Sequence, residues 1–293
     1  PPGPAFSFWQ SEAELIAAAR AAVLGRRDAL WGIDYEVTSD RRLIERLKAK
    51  APSSARAALS ALDQASQRAL DTWASSHDPA ALFTFSGDPT LVRAVRTAWP
   101  RFDADTDNIL NTLEETLEIN ALFPARGWES NERRARNMRA NLVRHLNRAA
   151  AENRRPKAML KMGENHLQRG VNWTGNFDTG SLLHEVATLR GGKAFSLLVG
   201  GGAGGHHGVL NPTNMSTADA PADMFEQLGL TFLTSGMTHT GPALLDLRPL
   251  RPLLSSSNRL HDLNNPEAIR NIFGYDTLVV WNGSTAARML VSS

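Results

Sequence analysis

With 293 residues, the chain is long enough to bury about three quarters of its unfolded surface in one or two cores. Its 32 Lys and Arg against 30 Asp and Glu leave a net charge of +2, which excludes a global field that would gather nucleic acid or an anionic membrane. There is no cysteine, and this excludes disulfides, thiolate catalysis and thiolate metal sites.

The opening Pro1-Pro-Gly-Pro4 has neither the charged start nor the apolar core of a signal peptide. It reads as the remnant of a loop, so upstream sequence is expected. Ser11 to Leu24 is predicted as a helix, with Ser11 as N-cap and Glu14 at capping-box spacing. A strand is predicted within 28–37, delivering Asp34 and Glu36 at its polar end. From Ser39 to about Ala151 the pattern is helical almost throughout. Leu43, Ile44 and Leu47 form one apolar face, and Leu59, Leu62, Ala65 and Leu70 another. Asp88-Pro89 is a helix start, because Pro suits the first turn. Ile109, Leu110, Leu113 and Leu117 continue the helical stripe, Phe123–Trp128 reads as a loop, and Ser130 to Ala151 as a long basic helix.

Beyond residue 151 the character changes. Strands are predicted at 158–162, 194–199 and 276–281, with a helix near Ser181 to Leu189 and a Gly-rich loop from Gly200 to Asn214. Strands alternating with helices predict an α/β fold: a single domain over 1–293, a mainly parallel β-sheet flanked by helices, and a long all-helical insertion at about 39–129. No apolar run approaches the ~18 residues of a membrane span. The compartment is not fixed by this; a soluble cytoplasmic or periplasmic protein fits, and the oligomeric state is left open.

The candidate chemistry lies where strands are predicted to end, the place ligands bind in open α/β sheets. Lys161-Met-Gly-Glu-Asn-His166 follows the apolar run Ala158-Met-Leu160. A neutral imidazole at His166 has the pKa of a general base toward water; the bland alternative is an ordinary satisfied histidine. Asp34 and Glu36 lie on one strand face. One of them is expected to orient a histidine or share a proton with substrate, the alternative being a helix cap or an arginine pair. Arg134, Met138, Asn141 and His145 share one helix face. Most arginines of that helix read as a solvated face, while Arg134 and Asn141 are candidates to bind an anionic or carbonyl oxygen. Lys161 and Glu164, beside His166, are further substrate-binding candidates.

Gly200-Gly-Gly-Ala-Gly-Gly205 satisfies G-x-G-x-x-G, but the sequence after it is not helical, which disfavours a nucleotide site. An active-site loop carrying His206 or His207 toward the substrate is expected instead. No HExxH pattern exists, and no G-x-S-x-G elbow. The aromatic residues show no stacking platform. A small-molecule substrate is therefore expected, with no nucleic-acid partner, no metal and no cofactor.

Three stretches together resemble the erythromycin esterase-like family, which groups with ChaN-like and Tiki-type α/β domains. Leu30-Trp-Gly-Ile-Asp-Tyr-Glu36 is similar to its strand ending W-G-[LI]-D-x-E. Arg134-Ala-Arg-Asn-Met-Arg-Ala-Asn-Leu142 is similar to its helix R-[ED]-x-x-M-x-x-N, and Lys161–His166 to the strand end carrying its later histidine. The resemblance implies a parallel-sheet domain with a helical insertion, and a metal-independent hydrolase in which a histidine activates water to open an ester or lactone. His166, the acids Asp34 and Glu36, and Arg134 map to the family's motifs. The family's earlier G-E-x-H segment has no counterpart before Trp31, and Ala135 replaces its acidic residue. A truncated or divergent member is the expectation. Two alternatives come from related domains: a non-catalytic haem-type binding module using His206, His207 or Met162, and a metal-dependent peptide hydrolase of the Tiki type.

Overall fold

The computed structural model describes residues 9–23, 29–211, 216–236, 241–254 and 264–288. The chain divides into two compact units. The first comprises Pro1–Asn137, Leu210–Thr217 and Arg288–Ser293; the second comprises Met138–Val209 and Ala218–Ala287.

The first unit is helical. Its helices are α1 (Gln10–Ala22), α2 (Asp40–Lys48), α3 (Arg56–Ser76), α4 (Phe83–Ser86), α5 (Pro89–Ala98) and α6 (Ala104–Leu122). The next helix, α7 (Gly127–Ala151), starts here and continues past the boundary between the units. Local chemistry sets several starts. Asp88 accepts from Thr90 N at 2.8 Å ahead of Pro89, and Asp103 accepts from Thr106 N at 2.7 Å. The stripes at i, i+3 and i+4 converge on one core: Ile44 and Leu47 from α2, Leu59 and Leu62 from α3, Val92 and Val95 from α5, and Leu110, Leu113 and Leu117 from α6. Each such side chain contributes about 1.5–3 kcal/mol on burial.

Two local expectations are corrected here. Helix α1 begins at Gln10 with Trp9 as N-cap and no side-chain cap, so Ser11 and Glu14 form no capping box; Glu14 instead accepts from Gln10 Nε2 at 2.8 Å. Leu24, where that helix was expected to end, lies outside the described residues, as does Asp28. The stretch 30–36 is not a strand.

The second unit holds α8 (Glu164–Leu167), α9 (Thr179–Leu189), β1 (Leu197–Gly201), β2 (Gly205–Asn211), β3 (Ser216–Ala222), α10 (Met224–Gln227), β4 (Gly241–Asp246), α11 (Pro266–Gly274) and β5 (Thr277–Asn282). Among the described residues β1, β5 and β4 form one sheet in that order, and β2 and β3 a second. β1 runs parallel to β5, with Val199 opposite Val279, while β4 is antiparallel to β5, with Leu244 opposite Val279. Leu198, Leu278 and Val280 pack on Phe225, Leu230, Ala268 and Ile272 beneath the sheet.

The expected α/β class is thus met only in its broad sense. The sheets are small and mixed, and one strand pair of the larger sheet is parallel. No strand forms at 158–162, because Ala158-Met-Leu160 is too short an apolar run to separate strand from coil, and Met159 is exposed. The Gly-rich segment is not loop throughout: β1 runs through Gly200 and Gly201, β2 takes up Gly205–Asn211, and 212–214 lies outside the described residues. No described helix is long and apolar enough to cross a membrane.

Candidate active site

His166 sits in the single turn α8, not at a strand end. Two loops hold it. Val171 and Phe177 form an isolated antiparallel bridge, and Asn172 templates the turn between them. Its Oδ1 accepts from Thr174 N at 3.1 Å, Thr174 Oγ1 at 2.8 Å and Asn176 N at 3.1 Å. Gly175 supplies the left-handed position, with φ at 79°. The same Asn172 donates from Nδ2 to Asn165 O at 3.0 Å, tying the turn to α8.

This turn delivers Asp178. One carboxylate oxygen caps α9, accepting from Thr179 N at 2.6 Å. The other lies 2.7 Å from His166 Nδ1. Close approach of the two helices requires a glycine: a Cβ on Gly180 would fall 2.2 Å from Leu167 O. The Asp178 side chain is 3% exposed and that of His166 19%. A carboxylate only accepts hydrogen bonds, so Nδ1 is the donor in this contact, which in the neutral ring leaves the lone pair on Nε2. Nε2 makes no hydrogen bond to any described residue. A buried acid fixing the tautomer of a partly open imidazole is the arrangement that makes histidine a base and stabilises it once protonated.

The far side of α8 is fastened to the segment leading into β5. Tyr275 Oη donates to Glu164 O at 2.8 Å, Gln168 Nε2 to Asn271 Oδ1 at 2.7 Å, and Arg169 N to Gly274 O at 3.0 Å. A Cβ on Gly274 would lie 2.7 Å from Gln168 Cγ, so this contact also needs glycine. Arg169 Nη2 then reaches Asp276 Oδ1 at 2.6 Å, and Arg251 Nη2 reaches the same oxygen at 3.0 Å. Asp276 Oδ2 accepts from Ser196 N at 2.9 Å. Burial pushes the Asp276 carboxyl up, but the Ser196 N–H and the two guanidiniums outweigh it, and its pKa is lowered. Ser196 and Asp276 immediately precede β1 and β5. The His166 turn is therefore anchored at the amino edge of the parallel pair, not at the carboxyl edge expected from the sequence.

Other titratable groups are arranged as follows. The Glu164 carboxyl is raised, first by loss of water and then by the Glu267 charge. His184 Nε2 lies 2.9 Å from Ser196 Oγ; burial and then the Arg169 charge lower its pKa, keeping the ring neutral. Ser196 is only 7% exposed, so this serine–histidine pair is packed structure and not an open nucleophile. Lys161 is exposed outside any strand. His206 and His207 lie on β2, and not in the expected loop; His206 Nδ1 sits 2.5 Å from exposed Asp219. Asn141 accepts from Arg144.

Asp34, Glu36 and Arg134 belong to the first unit. Arg134 donates to Asp34 through Nε at 3.0 Å and Nη2 at 2.5 Å, a bidentate pair. Its guanidinium carbon also lies 4.6 Å from the Tyr35 ring centre. Glu36 Oε1 accepts from Val37 N at 2.9 Å and Thr38 N at 3.1 Å. Within the first unit, then, Asp34 makes an arginine pair, while Glu36 bonds the backbone just after it and caps no helix. The acid that meets His166 is Asp178. Sequence reading passed over it, although an Asp-Thr pair just ahead of the predicted 181–189 helix is a legible N-cap.

No family model and no curated protein matches the chain. Its fold does match solved structures. A protein from Bacillus cereus superposes with a TM-score of 0.52 at 12% identity, over 97% of this chain and 74% of that one. A mutant of the erythromycin esterase EreC, in its open conformation, superposes with a TM-score of 0.53 at 16% identity, over 98% of this chain and 76% of that one. The chain has an erythromycin esterase-like fold. In this structure His166 is paired with a buried carboxylate, whereas His206 is paired with an exposed one.

Proposed function

We propose that this protein is a metal-independent hydrolase of an ester or lactone bond, with His166 as the base that activates water. The observation that carries the reading is the 2.7 Å contact between His166 Nδ1 and the buried Asp178 carboxylate; the erythromycin esterase-like fold supports it. Water attacks the carbonyl carbon while Nε2 takes its proton. Asp178 stabilises the imidazolium without itself being protonated. Collapse of the tetrahedral intermediate breaks the C–O bond, and the imidazolium returns its proton to the leaving alkoxide. The products are a carboxylic acid and an alcohol, joined in one molecule where the substrate is a lactone. Lys161 and Glu164 precede His166 in sequence and are assigned to substrate contact in this reading.

The test is turnover of simple esters and macrocyclic lactones, with and without a chelator. His166→Ala is expected to cut the rate at least ~100-fold, and chelation to leave it unchanged. Equal activity of the variant overturns the assignment of the base, and loss on chelation overturns the metal-independent route.

A further inference from the structure

In the first unit a cleft of about 180 Å³ opens between α6, α7 and the segment ahead of α2. An engineered cavity of about 150 Å³ holds one benzene, so the space suits a single six-membered ring. Three aromatic side chains, Tyr35, Phe85 and Phe123, wall it, and Ile119 contributes to its apolar lining. Phe123 is 62% exposed, a large apolar side chain left in water at the cleft.

The polar groups decide what kind of ring. Arg134 lines the cleft, but its charge is met by Asp34 in a bidentate pair and its face lies on Tyr35. The cleft therefore presents no unbalanced charge, and a carboxylate or ammonium ligand entering it loses water without a counter-ion. Of the other polar lining groups, Ser130 Oγ donates to Ile119 O and Asn120 Nδ2 to Thr84 O, which leaves the Asn120 carbonyl as an acceptor beside two further side chains. The Tyr35 hydroxyl and the Asn131 amide make no hydrogen bond to any described residue. Burial, opposed by Arg134, raises the Tyr35 pKa, so the hydroxyl keeps its proton and stays a donor.

We propose that this cleft is a binding site for one neutral ring carrying a hydroxyl or carbonyl oxygen, a phenol-like group, held between the aromatic walls and hydrogen-bonded by Tyr35 and Asn131. The residues that form it all belong to the first unit, and its test reads binding and not turnover.

Phenol is the probe, titrated into the isotope-labelled full chain with side-chain resonances followed by NMR. Saturable shifts gathered on Tyr35, Ile119 and Phe123, with a millimolar Kd, are expected. Tyr35→Phe keeps the ring and removes the donor, and should weaken binding about fivefold. Asn131→Ala should weaken it by a similar or smaller factor, and benzoate should bind more weakly than phenol. Shifts that are absent, or scattered away from these residues, overturn the site. Undiminished binding by both Tyr35→Phe and Asn131→Ala overturns the recognition by those groups. Tighter binding of benzoate than of phenol overturns the neutral character of the ligand.

Discussion

Asp40 in the first unit and Asp276 in the second are both almost out of water, at 7% and 4% exposure, yet their carboxyls shift in opposite directions. Asp40 meets the Ser66 hydroxyl at 2.5 Å and the backbone N–H groups at the start of α2, with the Arg41 charge nearby. Burial is the larger influence there, and its pKa is raised. Asp276 meets two guanidiniums and a backbone N–H, and its pKa is lowered. The contrast runs through the two units. The first buries apolar helix faces, with hydroxyls such as Thr84, Thr116 and Ser130 bonded to backbone carbonyls, and Asp40 and Asn120 as its buried acid and amide among the described residues. The second buries acids and amides, namely Gln168, Asn172, Asn176, Asp178, Asn271 and Asp276. A buried amide or acid needs its partner in one geometry. The second unit thus holds a single turn, α8, in one place by hydrogen bonds, where the first unit holds long helices by packing.

The sharpest way to break this contrast is at Asp178, which serves two ends at once. Asp178→Asn keeps an oxygen for the Thr179 N–H, so the cap on α9 survives. The amide can instead donate to Nδ1 and place the histidine in the wrong tautomer. Turnover should fall on the order of 10³–10⁴-fold, while thermal stability stays close to wild type. A rate near wild type would separate Asp178 from the chemistry and leave it only as a cap.

Next in size is Asp276→Asn. It leaves Arg169 and Arg251 facing a neutral group at the amino edge of β1 and β5. Losing one partner of a buried charge cluster costs about 3–5 kcal/mol, and hydrogen exchange of the β5 amides should report it. The loss should reach α8 as well, since Arg169 follows the turn bearing His166. A penalty below about 1 kcal/mol, the scale of exposed pairs, would show that the polar scaffold is not what holds the second unit.

The matching test in the first unit is Leu110→Ala. Leu110 is 0% exposed within the helical core, and truncating a buried leucine costs about 2–4 kcal/mol through lost burial and a residual cavity. Denaturant unfolding measures it. The α8 contacts are polar and lie in the other unit, so hydrogen exchange in 164–169 is expected to be unaffected by local opening of the core.

The same difference explains what could be read from the sequence. The helices of the first unit announce themselves locally. Leu43, Ile44 and Leu47 repeat at helical spacing, and Asp88-Pro89 marks a start that the structure keeps. The second unit is fixed by contacts between distant residues. His166 and Asp178 are twelve apart across a hairpin loop, Arg169 and Asp276 are 107 apart, and Ser196 and Asp276 are 80 apart. No periodicity encodes such pairs. The short run at 158–160 was legible as apolar but not as strand or coil, which moved the expected site to a strand end it does not occupy. Lys161–His166 stands out in the sequence because Gly163, Glu164 and His166 are poor company for a core. What it could not show was which acid would arrive.

The smallest expected effect separates the two carboxylates by pH. The folded pKa of Asp40 lies above the 3.8 of a free side chain, so the folded state binds this proton more tightly than the unfolded chain does. Its contribution to stability is complete below the unfolded value and is lost as pH rises through the folded one. Asp276 runs the other way: its contribution is present above 3.8 and is lost as pH falls through its depressed folded value. Between mildly acidic and neutral pH, hydrogen exchange of the α2 and α3 amides should therefore quicken with rising pH beyond the intrinsic rate. Asp40→Asn, which keeps an acceptor for Ser66 but cannot ionise, should flatten that dependence and leave the β5 amides untouched. An unchanged slope in the variant would mean that the Ser66 hydroxyl and the N-terminus of α2 already hold Asp40 as a comfortable anion, and the opposition between the two units would then rest on Asp276 alone.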